Sequence, residues 1–279
     1  MIIEKKAYAK VNLGLRVLSK RPDGFHPLKT IFHLIDLHDV ITLDVSESEE
    51  PEVTVKGNED YLPPGGVDLM EKAARLFSSA SGIVFRAVIT IEKHIPSQAG
   101  LGGGSSDASA VLTALNEHFG SVLSHEKLME LSLTLGSDVP FFTSSHAAAY
   151  GEGRGEILQK AEPCDYPCII VRKKGDAVST REAFRILDER ANVPDDDISW
   201  PLPLSSWRGV LVNDFDIIQG IRREDEFRTL AAQASYDSTT GSGSCQILVF
   251  ENEAERDAVM AELSSYELIP TRLMSLHRA

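Results

Sequence analysis

The most constraining feature of this sequence is a glycine-rich segment, Gly100-Leu101-Gly102-Gly103-Gly104, at the junction of two different periodicities. Upstream, apolar residues alternate with other residues as in a β-strand: Phe85, Ala87, Ile89 and Ile91. Downstream, apolar residues recur at the spacing of one helix face: Ala108, Val111, Leu112, Leu115 and Phe119. The glycines are therefore predicted to connect a strand to a helix that begins at Ser105 or Ser106.

A dense run of glycines needs a structural reason, because glycine loses more conformational entropy on folding than any other residue. One reason is that main-chain N–H groups must approach a ligand closely. A helix that starts after the glycines adds unpaired N–H donors and the positive end of its dipole, which favour an anion such as phosphate. A flexible loop or a tight connection has the same composition, so the glycines alone do not separate these alternatives. The Walker, dinucleotide-binding and protein-kinase glycine motifs are absent from the sequence.

Composition excludes several classes of function. The chain of 279 residues has a net charge of −14, which argues against nonspecific binding to DNA, RNA or anionic membranes. No stretch approaches the roughly 20 apolar residues that span a bilayer, and the N-terminal residues lack a signal-peptide pattern. Cys164, Cys168 and Cys245 indicate neither a disulfide framework nor a zinc site. We expect a cytoplasmic protein of one large or two modest domains, with no nucleic-acid or membrane partner.

Two polar segments elsewhere are candidates for chemistry. The residues from Ala7 to Val17 alternate as a half-buried strand does, so Lys10 and Asn12 project from the same face. A solvated polar face has the same pattern. Asp138 follows a predicted helix that ends at Gly136, and it precedes the first turn of another, where a carboxylate commonly acts only as a cap. Spacing alone therefore leaves structural roles open for all three polar side chains.

Taken together, the motifs resemble those of the GHMP small-molecule kinases. The segment from Pro96 to Ala108 reads P-x-x-A-G-L-G-G-G-S-S-D-A and resembles the phosphate loop of that family. Further motifs occur in the expected order along the chain: A-K-V-N-L, D-G-F-H, G-S-D-V-P-F-F, S-T-R-E-A-F and T-G-S-G-S-C. The resemblance implies an α+β, two-domain GHMP kinase fold. Its N-terminal domain would be like the second domain of ribosomal protein S5, and its C-terminal domain a ferredoxin-like α/β domain. A glycine-dense turn near Gly155 places the domains at residues 1–157 and 158–279.

The resemblance also implies roles for individual residues. Lys10 and Asp138 are the expected catalytic residues. The residues expected to bind ATP are Pro96, Gln98, Ala99, Gly100, Leu101, Gly102, Gly103, Gly104, Ser105 and Ser106. The residues expected to bind the substrate are Asn12, Phe25, His26, Thr180 and Phe184. Mg²⁺ is implied by ATP, and Ser105 or Ser106 is a candidate ligand without a firm assignment.

Within the family, the D-G-F-H motif and Phe184 resemble the branch that phosphorylates a cytidyl diphosphate sugar alcohol in non-mevalonate isoprenoid biosynthesis. In that branch, aromatic rings and a histidine meet the cytosine, a common way of holding a pyrimidine. Two alternatives remain: a kinase for another small alcohol such as mevalonate or homoserine, and a nucleotide-binding module without turnover. The expected partner is a small-molecule substrate, and the expected assembly is a monomer or a weak homodimer.

Three positions depart from the family pattern. Tyr8 replaces a proline, Gln98 replaces the first glycine of the phosphate loop, and Gln246 replaces an apolar residue at a strand start. If the backbone at Gln98 needs a positive φ, that residue is strained by up to a few kcal/mol. Nucleotide affinity is therefore the property in which we expect this chain to differ from its family.

Overall fold

The computed structural model describes residues 2–58, 68–173, 180–189, 197–262 and 265–275. Its strands are β1 Ile2–Val17, β2 Leu28–Glu47, β3 Glu52–Gly57, β4 Phe85–Glu92, β5 Ala148–Gly153, β6 Ile157–Lys160, β7 Pro167–Arg172, β8 Tyr236–Thr239, β9 Gln246–Val249 and β10 Glu267–Arg272. Its α-helices are α1 Leu69–Ser81, α2 Gly103–His118, α3 His125–Leu135, α4 Val139–Thr143, α5 Thr180–Asp188, α6 Asp225–Ala231 and α7 Glu253–Glu262. Short 3₁₀-helices cover Leu204–Ser206, Asp214–Ile217 and Gly220–Arg223. The mixed α+β fold that the sequence predicts is confirmed.

The larger sheet is organised around β2, which is long enough to pair with three other strands. β1 runs antiparallel to β2 along most of its length, whereas β4 and β5 pair with different parts of β2. β3 lies parallel to β4, and β6 extends the sheet beyond β5. The alternating apolar residues of β4, such as Phe85 and Ile89, are buried in the core, as their alternation predicts.

Helices α1, α2 and α3 pack against this sheet. They bury an apolar cluster that includes Phe77 of α1, Leu112 and Leu115 of α2, and Leu131 of α3. Most of the stability of such helices comes from burial of the apolar face and not from intrinsic propensity. The packing of α2 therefore fixes the position of its N-terminus, where the glycine segment lies.

The smaller sheet has the order β10-β7-β9-β8, and all neighbouring strands are antiparallel. Its two faces belong to different cores, because side chains alternate along each strand. Ile169 of β7 packs in a cluster with α6 and α7, whereas Ile170 packs in a cluster with Val11 of β1. A β-bridge between Ile35 and Leu273 also joins the two sheets.

β1 is not the half-buried strand that the alternation predicts. From Ala7 to Leu13 it is buried on both faces. Its apolar residues pack toward the smaller sheet, whereas Lys10 and Asn12 face the glycine segment, Asp138 and the turn at Gly241. Alternation reports the two faces of a strand but not the elements that cover them, so the prediction of a half-buried strand was wrong, and the alternative of a solvated polar face does not hold for Lys10 and Asn12.

Helix α2 begins at Gly103, so the prediction that it starts at Ser105 or Ser106 was also wrong. Gly102 is its N-cap, with a left-handed φ of 70°, and the Gly102 carbonyl accepts a hydrogen bond of 2.9 Å from the Ser106 N–H. Gly103 and Gly104 therefore form the first turn of the helix and not a loop that precedes it. The apolar periodicity begins only at Ala108, which is why the sequence pattern places the start too late.

The domain boundary at residues 157 and 158 stays a prediction. It falls at the start of β6, and β6 pairs with β5 in the larger sheet. Ser179, which opens the S-T-R-E-A-F motif, lies outside the described residues. The three cysteines are free thiols. Across the described ranges, no helix has the length and apolar character needed to cross a bilayer.

His33 generates a prediction about acid stability. Its ring is fully buried in β2, with Nδ1 2.9 Å from the Leu34 carbonyl oxygen and Nε2 3.0 Å from the Cys164 main-chain nitrogen. Nε2 must accept from that N–H, so only the neutral imidazole satisfies both contacts. Burial lowers the pKa of His33 from 6.5 to about 4.

Between pH 6.5 and about 4, the unfolded chain therefore binds a proton at His33 that the folded chain does not. The folding stability should fall as the pH decreases through this range, by up to about 3 kcal/mol from this group. Urea unfolding at pH 7 and at pH 5 measures the loss. His33→Gln should show a smaller difference between the two pH values, whereas the control His125→Gln, at an exposed position, should keep the parent difference. Equal differences in His33→Gln and the parent would contradict the assignment.

Candidate active site

A cleft of about 690 Å³ is lined by strands of the larger sheet and by the turn that precedes β9 of the smaller sheet. Its lining comes from β1 and β2, the glycine segment, the residue before α4, helix α5 and the turn before β9. These elements are far apart in the sequence, and only the folded chain assembles them. Of the predicted site residues, those that line the cleft are Lys10, Asn12, Gln98, Gly100, Gly102, Asp138, Thr180 and Phe184.

Lys10 has its ammonium group buried at this cleft. Its Nζ donates to Asn12 Oδ1 at 2.7 Å, lies 3.3 Å from Asp138 Oδ2, and sits 5.4 Å from the centre of the Phe32 ring. The Lys10 main chain is also held, since its N–H donates to the Leu101 carbonyl at 2.9 Å. Lys10 is therefore fixed relative to the glycine segment by both its main chain and its side chain.

Asn12 connects β1 to its neighbours through both ends of its amide. Oδ1 accepts from Lys10 and, at 3.0 Å, from the Gly241 N–H, while Nδ2 donates to the Thr30 hydroxyl at 2.9 Å. The Thr30 hydroxyl in turn donates to the Gly14 carbonyl at 2.6 Å. Asn12 thus uses its carbonyl oxygen and one of its two amide N–H groups within the protein.

Asp138 occupies the N-cap position of α4 but does not cap it. Its side chain accepts no hydrogen bond from the helix N–H groups, and Pro140 lies in the first turn. The carboxylate faces Lys10 instead and remains one-third exposed at the cleft. The purely structural alternative, a helix cap, is therefore wrong for this aspartate.

The glycine segment is held against the turn at residues 240–243. The Thr240 hydroxyl donates to the Gly100 carbonyl at 3.2 Å. A Cβ at Gly100 would lie 2.1 Å from the Thr240 carbonyl oxygen, and the φ of Gly100 is 75°. Only glycine satisfies both conditions. Gln98 also has a positive φ, 56°, so the expected backbone strain at this departure from the family is present.

The other predicted loop residues lie outside the lining of the cleft. Ala99 and Leu101 are buried in the apolar cluster between the sheets and anchor the loop there. Ser106 is buried and lines a second cavity of about 480 Å³. The predicted loop residues that do not line the cleft are Pro96, Ala99, Leu101, Gly103, Gly104, Ser105 and Ser106.

Of the predicted substrate-binding rings Phe25, His26 and Phe184, one lines the cleft. Phe184 lines the cleft and stacks on His26, with ring centroids 5.4 Å apart and an interplanar angle of 29°. His26 Nδ1 lies 2.9 Å from the Leu18 carbonyl oxygen, and the buried Nε2 lies 2.9 Å from Asp188 Oδ1 without the geometry of a hydrogen bond. Phe25 is half exposed and carries the Arg154 guanidinium over its ring at 4.9 Å. Neither His26 nor Phe25 lines the cleft.

A buried charge cluster beside the loop was not anticipated from the sequence. Lys93 donates to both Asp39 and Asp107, the latter at 2.9 Å, and Asp39 also accepts from the His94 and Ile95 N–H groups. Burial raises the pKa of Asp107 despite the nearby ammonium group. The only sequence signal was the presence of Asp107 in the glycine motif. The cluster fixes the start of α2 to the end of β4.

The remaining departure from the family pattern, Gln246, also has a structural explanation. β9 starts at this residue, and Gln246 is fully buried. Its Oε1 accepts from Arg222 at 3.0 Å and from the Thr239 hydroxyl at 3.1 Å. A buried amide is tolerated where its polar atoms have partners.

Comparison with known proteins agrees with this geometry. Residues 68–146 match the family described as GHMP kinases N terminal domain. A 4-diphosphocytidyl-2-C-methyl-D-erythritol kinase from Pelotomaculum thermopropionicum is 42% identical over 66% of this chain, and the match spans 63% of that relative, slightly under two thirds. The enzyme of the same name from Pseudomonas savastanoi pv. phaseolicola is 37% identical over 92% of this chain and 87% of its own length.

A solved structure extends the similarity to the whole fold. The crystal structure of a 4-(cytidine 5'-diphospho)-2C-methyl-D-erythritol kinase is 30% identical and superposes with a TM-score of 0.74. The match covers 97% of this chain and 99% of the solved chain. Full-length similarity of this kind, together with the assembled cleft, establishes the family. The chain therefore belongs to the 4-diphosphocytidyl-2-C-methyl-D-erythritol kinase family of the GHMP kinases.

Proposed function

We propose that this chain is an ATP-dependent kinase that phosphorylates the 2-hydroxyl of 4-diphosphocytidyl-2-C-methyl-D-erythritol in non-mevalonate isoprenoid biosynthesis. The observation that carries the proposal is the ion pair of Lys10 with Asp138, 3.3 Å apart at the cleft that the glycine segment lines. An ammonium group, a carboxylate and a glycine-rich helix start are the parts that phosphoryl transfer to an alcohol needs.

Phosphoryl transfer leaves the protein mainly positioning and charge stabilisation, because charge in the transition state is spread over phosphoryl oxygens. Main-chain N–H groups of the glycine segment would bind the ATP phosphates. Lys10 would stabilise the charge on the transferred group. Asp138 would orient the substrate hydroxyl and accept its proton late in the transfer.

The described residues of the cleft can bind Mg²⁺ through a carboxylate. Mg²⁺ usually keeps several waters and needs one or two carboxylates in addition to the nucleotide phosphates. Among the described residues that line the cleft, Asp138 provides the carboxylate. Bound Mg²⁺ would neutralise charge on the phosphate oxygens. A role for Ser105 or Ser106 stays a prediction, and the Ser106 side chain lines a different cavity.

The stack of Phe184 on His26 favours a substrate with a flat base over mevalonate or homoserine. In this interpretation the cytosine lies against Phe184, and His26 holds that ring by stacking on it. Phe25 would act only if its side chain moves toward the cleft. The two-domain division, the monomer or weak homodimer and the cytoplasmic location stay proposals from the sequence.

An ATP-consumption assay with three alcohols tests the substrate. We expect turnover with 4-diphosphocytidyl-2-C-methyl-D-erythritol and none above background with mevalonate or homoserine. Proton and phosphorus NMR of the product would locate the new phosphate on the 2-hydroxyl. Turnover of mevalonate with an inert cytidyl substrate would overturn the substrate assignment. Nucleotide binding without turnover of any alcohol would favour the non-catalytic alternative.

Asp138→Asn should separate catalysis from nucleotide binding. The amide keeps the size of the side chain but does not accept a proton, so kcat should fall by roughly 10²- to 10⁴-fold. The dissociation constant for ATP, measured by calorimetry, should change only a few-fold. Asp257→Asn, at an exposed position of α7, is the matched control and should retain parent activity. A variant with preserved kcat and weak ATP binding would contradict the assigned role.

Gly104→Ala should separate phosphate binding from stability. Gly104 is exposed in the first turn of α2, and an added Cβ would have its nearest neighbour, Leu69 Cδ1, at 3.9 Å. Alanine favours the helix by up to about 1 kcal/mol, so the free energy of unfolding should not fall. Gly104 does not line the cleft, but its N–H belongs to the first turn of α2, where the donors have no intrahelical partner and the phosphates are proposed to bind, so a methyl group here should raise the KM for ATP.

The comparison variant is Gly100→Ala, whose Cβ would clash with the Thr240 carbonyl. It should lose stability as well as activity in the same thermal and kinetic assays. An unchanged KM for ATP in Gly104→Ala would show that the phosphates do not approach the main chain at this position.

A further inference from the structure

Arg181 is a cation at the cleft without an assigned task. It lines the cleft from the first turn of α5, and it is exposed. Within the described part of the chain, Arg181 makes no ion pair or hydrogen bond. Lys10, the other cation among the lining residues, is matched by Asp138. The cleft thus carries one guanidinium whose charge the described residues leave unmatched.

The position of Arg181 is not explained by the stability of its helix. A positive charge in the first turn of a helix opposes the helix dipole. The neighbouring Arg185 differs, since it pairs with Glu182 at 2.6 Å and with Glu189 at 2.5 Å and does not line the cleft. Arg185 therefore supports the helix surface, whereas Arg181 faces the cleft.

The neighbours of Arg181 indicate which part of a ligand it would meet. Phe184 lies three residues further along α5, so both side chains are on one helix face, and both line the cleft. The Thr180 hydroxyl lies 3.1 Å from the Ser242 hydroxyl, which joins this end of α5 to the turn beside the glycine segment. Arg181 is thus about one helical turn from Phe184, the ring proposed to hold the cytosine. It lies at the end of α5 that contacts the turn at residues 240–243.

We infer that Arg181 binds the diphosphate of the cytidyl substrate, between the base at Phe184 and the reacting hydroxyl at Lys10 and Asp138. This inference rests on the proposed function. The protein has a net charge of −14, so an anionic substrate must be met by local cations. A guanidinium presents two parallel N–H donors that match phosphate oxygens, which a lone ammonium does not.

Calorimetric titration with CDP and with cytidine tests the inference directly. The parent should bind CDP more tightly than cytidine, because only CDP carries the diphosphate. Arg181→Gln should weaken CDP binding by about 10- to 100-fold, the range for loss of charge-assisted hydrogen bonds, and leave cytidine binding unchanged. Arg181→Lys, which keeps the charge but loses the paired donors, should lie between. Arg185→Gln is the matched control and should bind CDP like the parent.

Steady-state kinetics provide the second readout. Arg181→Gln should raise the KM for 4-diphosphocytidyl-2-C-methyl-D-erythritol and leave the KM for ATP within a few-fold of the parent value. Unchanged CDP binding in Arg181→Gln, or an equal loss in Arg185→Gln, would overturn the inference. A rise confined to the KM for ATP would place Arg181 at the nucleotide phosphates and would also overturn it.

Failure of the proposed function gives a different result. If the parent binds CDP more tightly than cytidine but does not phosphorylate the cytidyl alcohol, the proposed function fails. The CDP titration of Arg181→Gln then still tests the arginine. If the parent binds CDP and cytidine equally, the inference about Arg181 fails whatever the outcome of the kinase assay. The melting temperatures of both variants, expected to match the parent at these exposed positions, verify that they are folded.

Discussion

The buried ammonium group of Lys10 sets the requirement that the rest of this site meets. A charge removed from water is costly unless partners match it in charge and hydrogen bonding. Here the partners are the Asn12 amide oxygen, the Asp138 carboxylate and the face of the Phe32 ring. They belong to β1, the residue before α4, and β2. Burial of one cation therefore ties three elements together at the place where phosphoryl transfer is proposed.

The second constraint is the close approach of two turns. The glycine segment and the turn at residues 240–243 meet at Gly100, where the Thr240 carbonyl leaves no room for a Cβ. Asn12 of β1 contacts the same turn, because its amide oxygen also accepts from the Gly241 N–H. The cleft is thus built from both sheets. A change that separates the sheets would alter the proposed nucleotide site and the proposed substrate site together.

Gln98 and Gln246, two departures from the family pattern, have different structural environments. Gln98 holds a left-handed backbone conformation that a glycine would adopt at lower cost, and its side chain lines the cleft. Gln246 is buried in the core, but its Oε1 has hydrogen-bond partners, because Arg222 and Thr239 donate to it. The two departures are therefore physically different: one carries backbone strain at the site, and the other is a satisfied polar group in the core.

Local sequence patterns determined a large part of this protein. Alternation placed β4 and much of β1, helical periodicity placed the body of α2, and glycine density marked the connection between them, because these patterns depend on residues close in sequence. The family motifs indicated which polar residues to test. They did not reveal that β1 is buried on both faces or that α2 starts at Gly103, since covering elements and cap geometry depend on distant parts of the chain.

Tertiary structure alone decided which of these residues meet. It brought Lys10 to Asp138 across more than a hundred residues of chain, stacked His26 on Phe184, and left Arg181 facing the cleft. The Lys93 cluster with Asp39 and Asp107 likewise joins three segments that no short motif connects. Sequence determines residue types and local geometry, whereas ion pairs and burial depend on distances that exist only after the two sheets have packed.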